Sequence, residues 1–270
     1  MQRSRISQEI QWLLGEKHHG LLTPFAKKDI AKLQKGEHVD YVIGFVDFLG
    51  CKIDLSLKPL IPRPETEYWV ERAIQEMRGK GSRLQTKNYK LKTLDMFAGS
   101  GCIGVAILKH IPWAVVDFAE KDKRLLSQLR LNAKKNGIEK KRYRVLHSDM
   151  FSGIKGKYDY IFANPPYIAE SRKSKVQTSV LKHEPREALF AGKDGLRVIR
   201  PFLSQAKDFL VEGGSIYLEF DSPQKKEIEK LLRRFQYQHW QFCRDQYEKW
   251  RLVVIQENPK NGGVLPAPFS

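Results

Sequence analysis

Four residues, Asn164-Pro165-Pro166-Tyr167, close the apolar run Tyr-Asp-Tyr-Ile-Phe-Ala at 158–163. An apolar run that stops at Asn-Pro-Pro reads as a buried strand ending in a turn. Neither proline can donate to a ladder, and both hold φ near one value. What remains is a rigid acceptor platform: the Asn164 side-chain oxygen and the Pro165 carbonyl, framed by Pro166, can face one small donor beside the Tyr167 ring. That suits a planar NH2 group. Two hydrogen bonds taken from its hydrogens fix the nitrogen and favour a pyramidal transition state over the planar ground state. Asn-Pro and Pro-Pro also mark ordinary turns, so this stretch alone does not decide the chemistry.

The second cluster lies about seventy residues earlier. Residues 92–108, Lys-Thr-Leu-Asp-Met-Phe-Ala-Gly-Ser-Gly-Cys-Ile-Gly-Val-Ala-Ile-Leu, read as strand, small-residue loop and helix. Phe97, Ala98, Gly99, Ser100 and Gly101 form the loop, where small residues let a ligand approach the backbone at a helix N-terminus. A glycine loop by itself could serve a dinucleotide or a phosphate, and of the two the Gly-Lys-Ser/Thr ending of a phosphate loop is absent. Glu120 follows the next apolar run, where an acid at a strand end accepts ribose hydroxyls. Asp149-Met150 falls after a third strand pattern. All of these residues and Asn164 stand, in chain order, at the carboxyl ends of expected parallel strands, where ligand sites open.

The elements that must position them follow from the pattern. Strands are expected near 91–95, 114–119, 143–147, 158–163 and 214–220, with helices near 102–110, 122–136, 194–211 and 223–235. Alternation of this kind implies an α/β doubly wound, mostly parallel sheet. Two late runs, 237–242 and 251–256, read as a closing antiparallel pair and bring the sheet to seven strands. Residues 1–35 read as a short N-terminal helical region, with Thr23 capping a helix at Pro24. Residues 36–78 hold a β-hairpin over 41–48 and 51–57, a Pro-Arg-Pro loop and a helix over 66–77. A Gly/Lys-rich linker is expected at 79–90, the main α/β domain at 91–256 and a disordered tail at 257–270.

Composition narrows the class. With 41% hydrophobic and 29% charged residues in 270, the chain is of globular type and long enough for a full α/β domain. No signal peptide or membrane span is read, and three scattered cysteines (Cys51, Cys102, Cys243) fit a reducing cytoplasm rather than a disulfide framework or zinc site. His18-His19 has no thiol or carboxylate beside it, so it reads as a solvated turn and no metal is expected. The net charge of +17 favours acidic partners, and contact with RNA or the ribosome stands beside solvated lysine-rich faces as its reading.

Together the motifs resemble those of class I S-adenosylmethionine-dependent methyltransferases, and more narrowly the release-factor glutamine methyltransferase (HemK/PrmC) family. Four stretches carry the narrower resemblance: Ile-Pro-Arg-Pro-Glu-Thr-Glu at 61–67, Leu-Asp-Met-Phe-Ala-Gly-Ser-Gly at 94–101, Asn-Pro-Pro-Tyr-Ile at 164–168, and Glu-Pro-Arg-Glu-Ala-Leu-Phe-Ala-Gly-Lys-Asp-Gly-Leu at 184–196. The resemblance implies a Rossmann-like fold, S-adenosylmethionine as cofactor, and transfer to the N5 amide nitrogen of the Gly-Gly-Gln glutamine of a peptide-chain release factor. It implies that residues 97–101 and Glu120 hold the cofactor. Met150 would pack on the adenine with Asp149 near its amino group, and Asn164 would touch cofactor and substrate. Arg63, Glu65 and Glu67 would lie at the substrate entrance. The family usually has glycine at the position of Phe97 and a longer N-terminal helical domain than the 35 residues found here. Asn-Pro-Pro-Tyr also occurs in enzymes acting on base amines. An RNA or DNA exocyclic-amine methyltransferase is therefore the alternative, with a non-catalytic RNA-binding protein on the same fold as a further rival.

Overall fold

The computed structural model describes residues 2–81 and 89–257. Most of the expected linker, at 82–88, and the expected tail beyond 257 lie outside them. In chain order the elements are α1 (Gln2–His18), α2 (Pro24–Gln34), α3 (Val39–Ile43), β1 (Phe45–Phe48), β2 (Cys51–Asp54), α4 (Pro64–Gly81), β3 (Leu91–Met96), α5 (Cys102–His110), β4 (Ala114–Glu120), α6 (Leu125–Lys135), β5 (Tyr143–His147) and β6 (Tyr158–Ala163). Three short helices, α7 (Thr178–His183), α8 (Arg186–Leu189) and α9 (Ile199–Gln205), lead to β7 (Leu210–Glu219), α10 (Lys225–Arg234), β8 (His239–Arg244) and β9 (Trp250–Gln256).

Seven strands form one sheet in the order β5-β4-β3-β6-β7-β9-β8. The first five are parallel, and β9 and β8 close the sheet antiparallel. The central strands β3, β4 and β6 are buried on both faces, as parallel strands covered by helices must be. The chain winds outward one way from β3 through β4 and β5 and the other way through β6, so a crevice opens at the carboxyl ends of β3 and β6. This is the doubly wound class expected from the sequence.

Helix α4 docks on the sheet through Trp69, which stacks on Phe162 and Tyr217 at centroid distances of 6.1 and 6.3 Å. Helix α5 lies so close to β4 that a Cβ on Gly104 would stand 2.3 Å from the Phe118 ring.

The β1-β2 hairpin is tied to the main domain by a ladder of amides. Gln128, Asn132 and Asn136 are spaced four apart and so share one face of α6 and its C-cap. Asn136 accepts from the Lys52 N–H and donates to its carbonyl, both at 3.0 Å. Asn132 accepts from the Asp54 N–H (2.8 Å) and donates to the carbonyls of Asp54 (3.2 Å) and Ser100 (2.8 Å). Gln128 donates to the Asp54 carbonyl (2.9 Å) and accepts from the Leu57 N–H (2.9 Å). These bonds satisfy an edge strand that would otherwise stay open. Asn132→Ala orphans buried backbone groups on both sides and is expected to cost about 2–3 kcal/mol in urea denaturation. A loss below about 0.5 kcal/mol would show the ladder to be incidental.

Three expectations need correction. Residues 41–43 are not strand: they lie in α3, which His38 caps through Nδ1 (3.3 Å from the Asp40 N–H) and Gly44 ends at φ +94°. The hairpin also stops at Asp54, whose carboxylate accepts the Ser56 N–H at 2.8 Å and turns the chain. The helix expected over 194–211 is only α9 followed by a 3-10 turn, because Asp194 accepts the Leu196 N–H (3.0 Å) and Gly195 sits at φ +75°. His18 is not solvated: it lies 3.2 Å from Asp29 with 9% of its side chain exposed.

Candidate active site

Where β3 ends, Phe97 takes a left-handed conformation, φ +61°. A bulky residue is costly there, by about 1–2 kcal/mol. The requirement explains why glycine is usual at this place in the resembling family, and here the ring packs on Phe202 at 5.8 Å instead. The loop then reaches Gly99, whose N–H donates to Glu120 Oε2 at 2.9 Å. Glu120 Oε1 accepts the Asp122 N–H at 2.7 Å. Burial pushes the Glu120 carboxyl up, and the N–H donors of Asp122, Gly99 and Lys121 oppose this. Each oxygen keeps a lone pair for a further donor.

Below the loop lies Asp95, 1% exposed. Its Oδ2 accepts the Gly104 N–H at 2.9 Å, while Oδ1 is buried without a partner. Burial raises its carboxyl to about 8 from an ordinary 3.8, against the pull of the Gly104 bond. Folded Asp95 therefore holds its proton more tightly than the unfolded chain does. Its contribution to stability is complete below 3.8 and is lost as pH rises through about 8. Urea titrations of cofactor-free protein at roughly pH 5.5 and 8.5 are expected to show a fall in stability that Asp95→Asn reduces by at least about 1 kcal/mol. The same fall in both proteins would clear Asp95 of responsibility.

After β5, Ser148 donates through its N–H to the Glu120 carbonyl at 2.9 Å and through Oγ to the Met150 carbonyl. Met150 is left-handed (φ +50°) and packs with Phe97 and Tyr167 on the core beneath the crevice. Asp149 points outward and pairs with Lys121 at 2.7 Å, both more than half exposed.

The Asn164-Pro165-Pro166-Tyr167 stretch leaves β6 at the crevice. Asn164 Nδ2 lies 3.2 Å from Thr66 Oγ1. Tyr167 donates its hydroxyl to Glu219 Oε1 at 2.9 Å. The chain beyond is framed by the 184–196 stretch: Ile168 N–H donates to the Leu189 carbonyl (2.9 Å), Ala191 N–H to the Ile168 carbonyl (3.0 Å), and Ile168 bridges Phe190. Gly195 packs under Tyr167, and Gln224 Nε2 donates to the Tyr167 carbonyl at 2.9 Å. Glu184, buried, accepts from Ile61 N–H (3.2 Å) and Arg63 (2.5 Å). Two of the four stretches that carried the narrower resemblance, 61–67 and 184–196, are thus joined by one carboxylate.

A cavity of about 450 Å³ opens over this platform, lined among others by Asn164, Pro165, Tyr167, Arg63, Glu65 and Arg172. Glu67 is not brought to it. Its carboxylate accepts the Leu49 N–H at 2.7 Å and it lines a second cavity, of about 350 Å³, beside Trp12 and Phe45. Sequence reasoning missed Thr66, Asp95, Glu184 and Glu219. For Asp95 and Glu219 the signal was an acid inside an apolar strand.

S-adenosylmethionine carries positive charge on its sulfur and amino group. The crevice meets that charge with the Glu120 carboxyl, whose oxygens keep lone pairs for further donors, and Asp95, which keeps its proton below about pH 8, adds an unpartnered oxygen beneath the small-residue loop. Those residues fit the cofactor.

Comparisons with known proteins agree. The family model described as Methyltransferase small domain matches residues 80–248. The release factor glutamine methyltransferase of Streptococcus pneumoniae is 35% identical over 234 residues, 86% of this chain and 80% of that protein. The protein of the same name from Coxiella burnetii is 33% identical, over 82% of this chain and 75% of that one. A crystal structure of a methyltransferase from Pyrococcus furiosus superposes with a TM-score of 0.54 at 17% identity, over 77% of this chain and 90% of that one, which speaks to fold alone. Identity of that extent across both chains places this one: it belongs to the release factor glutamine methyltransferase family.

Proposed function

We propose that this chain methylates the N5 amide nitrogen of the Gly-Gly-Gln glutamine of a peptide-chain release factor, with Asn164 Oδ1 and the Pro165 carbonyl holding the amide's two hydrogens. The observation that carries this reading is the rigid acceptor platform opening into a cavity walled by Arg63 and Glu65. When bound, S-adenosylmethionine supplies the electrophilic methyl group. Phe97, Ala98, Gly99, Ser100, Gly101, Glu120 and Met150 hold it, and Asp149, turned outward to Lys121, would reach it only on leaving that pair.

An amide nitrogen is a poor nucleophile because its lone pair is delocalised. Two acceptors that bind its hydrogens better in the pyramidal geometry lower the barrier, and in-line approach at roughly 3–3.5 Å completes the arrangement. Tyr167, fixed through its hydroxyl, walls the amide from water. No strong base is required, since the nitrogen proton becomes acidic on methylation. His147 takes no part: it is exposed at a strand end, 3.1 Å from the Lys121 carbonyl.

Arg63 and Arg172 at the cavity are already paired with Glu184 and Asp221. The +17 charge of the chain supports a secondary contact with RNA or the ribosome. Three buried cysteines, none of them in a disulfide, suit a cytoplasmic setting, and no helix among the described residues is long and apolar enough to cross a membrane. Tandem mass spectrometry of release factor incubated with enzyme and cofactor tests the reading. One methyl group on the glutamine of the Gly-Gly-Gln peptide is expected; a methyl group on any other residue overturns it.

A further inference from the structure

Glu219 ends β7 and is 1% exposed. A carboxyl so deep is costly unless donors meet it, and three do. Oε2 receives Thr66 Oγ1 at 2.7 Å and Trp69 Nε1 at 2.8 Å; Oε1 receives the Tyr167 hydroxyl at 2.9 Å. The carboxylate is the form that accepts from all three, and an indole N–H has only a proton to give. The Thr66 hydroxyl hydrogen is therefore committed to Glu219. What Thr66 Oγ1 has left is a lone pair, and the group facing it at 3.2 Å is Asn164 Nδ2.

This order of donors has a consequence for the reacting group. A side-chain amide fills the same volume in either of its two flips, so packing alone cannot choose between them. With Thr66 able only to accept, the NH2 end of Asn164 must turn toward Thr66 and the oxygen toward the cavity. The opposite flip would set the Asn164 NH2 against the NH2 of a substrate amide, donor against donor.

We propose that Glu219, acting through Thr66, sets which end of the Asn164 amide faces the substrate, and that the same carboxylate anchors the Tyr167 ring beside it. Thr66 and Glu219 are positioning residues. Their role rests on the acceptor function of Asn164 given above. Thr66 lies on α4 and Glu219 on β7, so the helix that follows the Pro-Arg-Pro loop is tied to catalysis through this contact as well as through packing.

Thr66→Val keeps the shape of the side chain and removes the hydroxyl. Its kcat is expected to fall about tenfold to a hundredfold, with KM for release factor changed less than about threefold. Cofactor affinity by calorimetry should not change. Thr66→Ser should return kcat to within about threefold of the parent, since its hydroxyl offers the same donor and lone pair. Glu219→Gln retains an acceptor oxygen for Trp69 and Thr66 and is expected to lose less than Thr66→Val. In an Asn164→Ala background, Thr66→Val should have no further effect on kcat, because nothing is left to orient.

A Thr66→Val kcat within about twofold of the parent, or one that serine does not restore, would overturn the proposal, as would additive losses in the double variant. If Asn164→Ala itself turns over normally, the acceptor reading fails and this inference with it. If Asn164→Ala is inactive and Thr66→Val is not, only the inference fails.

Discussion

Asn164→Ala is expected to lower kcat by about 10²- to 10³-fold, the usual size for removing one group that binds the transition state. Cofactor affinity should weaken by no more than about fivefold, or roughly 1 kcal/mol. The split follows from where the side chain stands. Asn164 is half-buried, makes one bond of 3.2 Å to Thr66 and lines the cavity, while the acids suited to the cofactor lie on β3 and β4. Its removal leaves Thr66 still donating to Glu219, so stability should fall by less than about 1 kcal/mol. Turnover of release factor and calorimetric titration with the cofactor, on the same preparation, provide the check. Equal loss of turnover and cofactor affinity would make Asn164 a cofactor or folding residue instead.

Replacing Gly195 with alanine should have an effect of similar size through a different route. At φ +75° a side chain is strained, and its Cβ would stand 2.2 Å from the Tyr167 carbonyl oxygen, 2.9 Å from the Ala169 nitrogen and 2.5 Å from Gln224 Nε2. The first two are backbone atoms of the segment that carries the acceptor platform, so no rotamer change relieves the clash. Either the platform moves or the 194–196 turn does. The 2.9 Å bond from Gln224 to the Tyr167 carbonyl and the 3.2 Å bond to the Asp194 carbonyl would be strained in both cases. A loss of about 3 kcal/mol in urea denaturation is expected. A fall of about a hundredfold in kcat/KM is expected with it, since displacement by an ångström costs that much. Parental stability with parental turnover would mean that the turn yields without disturbing Tyr167.

The doubly wound sheet was legible because each central strand is an apolar run followed by a helical period. Asn164, Glu120 and the 97–101 loop were legible because each stands where such a run stops. Local propensity misled at 41–43, where Tyr-Val-Ile favours a strand. The His38 cap and Gly44 at φ +94° select a helix there. Phe97 read as a departure from the family, and its left-handed backbone shows what the departure costs and how Phe202 offsets it. Thr66 read as the first residue of the helix expected over 66–77; its partner Glu219 is 153 residues away, and no local pattern links them. Glu184 and Arg63 were noticed as motifs, but that they form one ion pair is a property of the fold. Glu67 shared a motif with Arg63, yet the helix turns it to the hairpin and away from the acceptor platform.

The central claim is that the Asn164 platform receives a glutamine amide. Transfer of labelled methyl from S-adenosylmethionine to intact release factor, to its variant with alanine for the Gly-Gly-Gln glutamine, and to ribosomal RNA, run side by side, tests it most directly. Label on the intact factor, with none on the variant or the RNA, is the predicted result. Label on the RNA, or equal label on both forms of the factor, would contradict it.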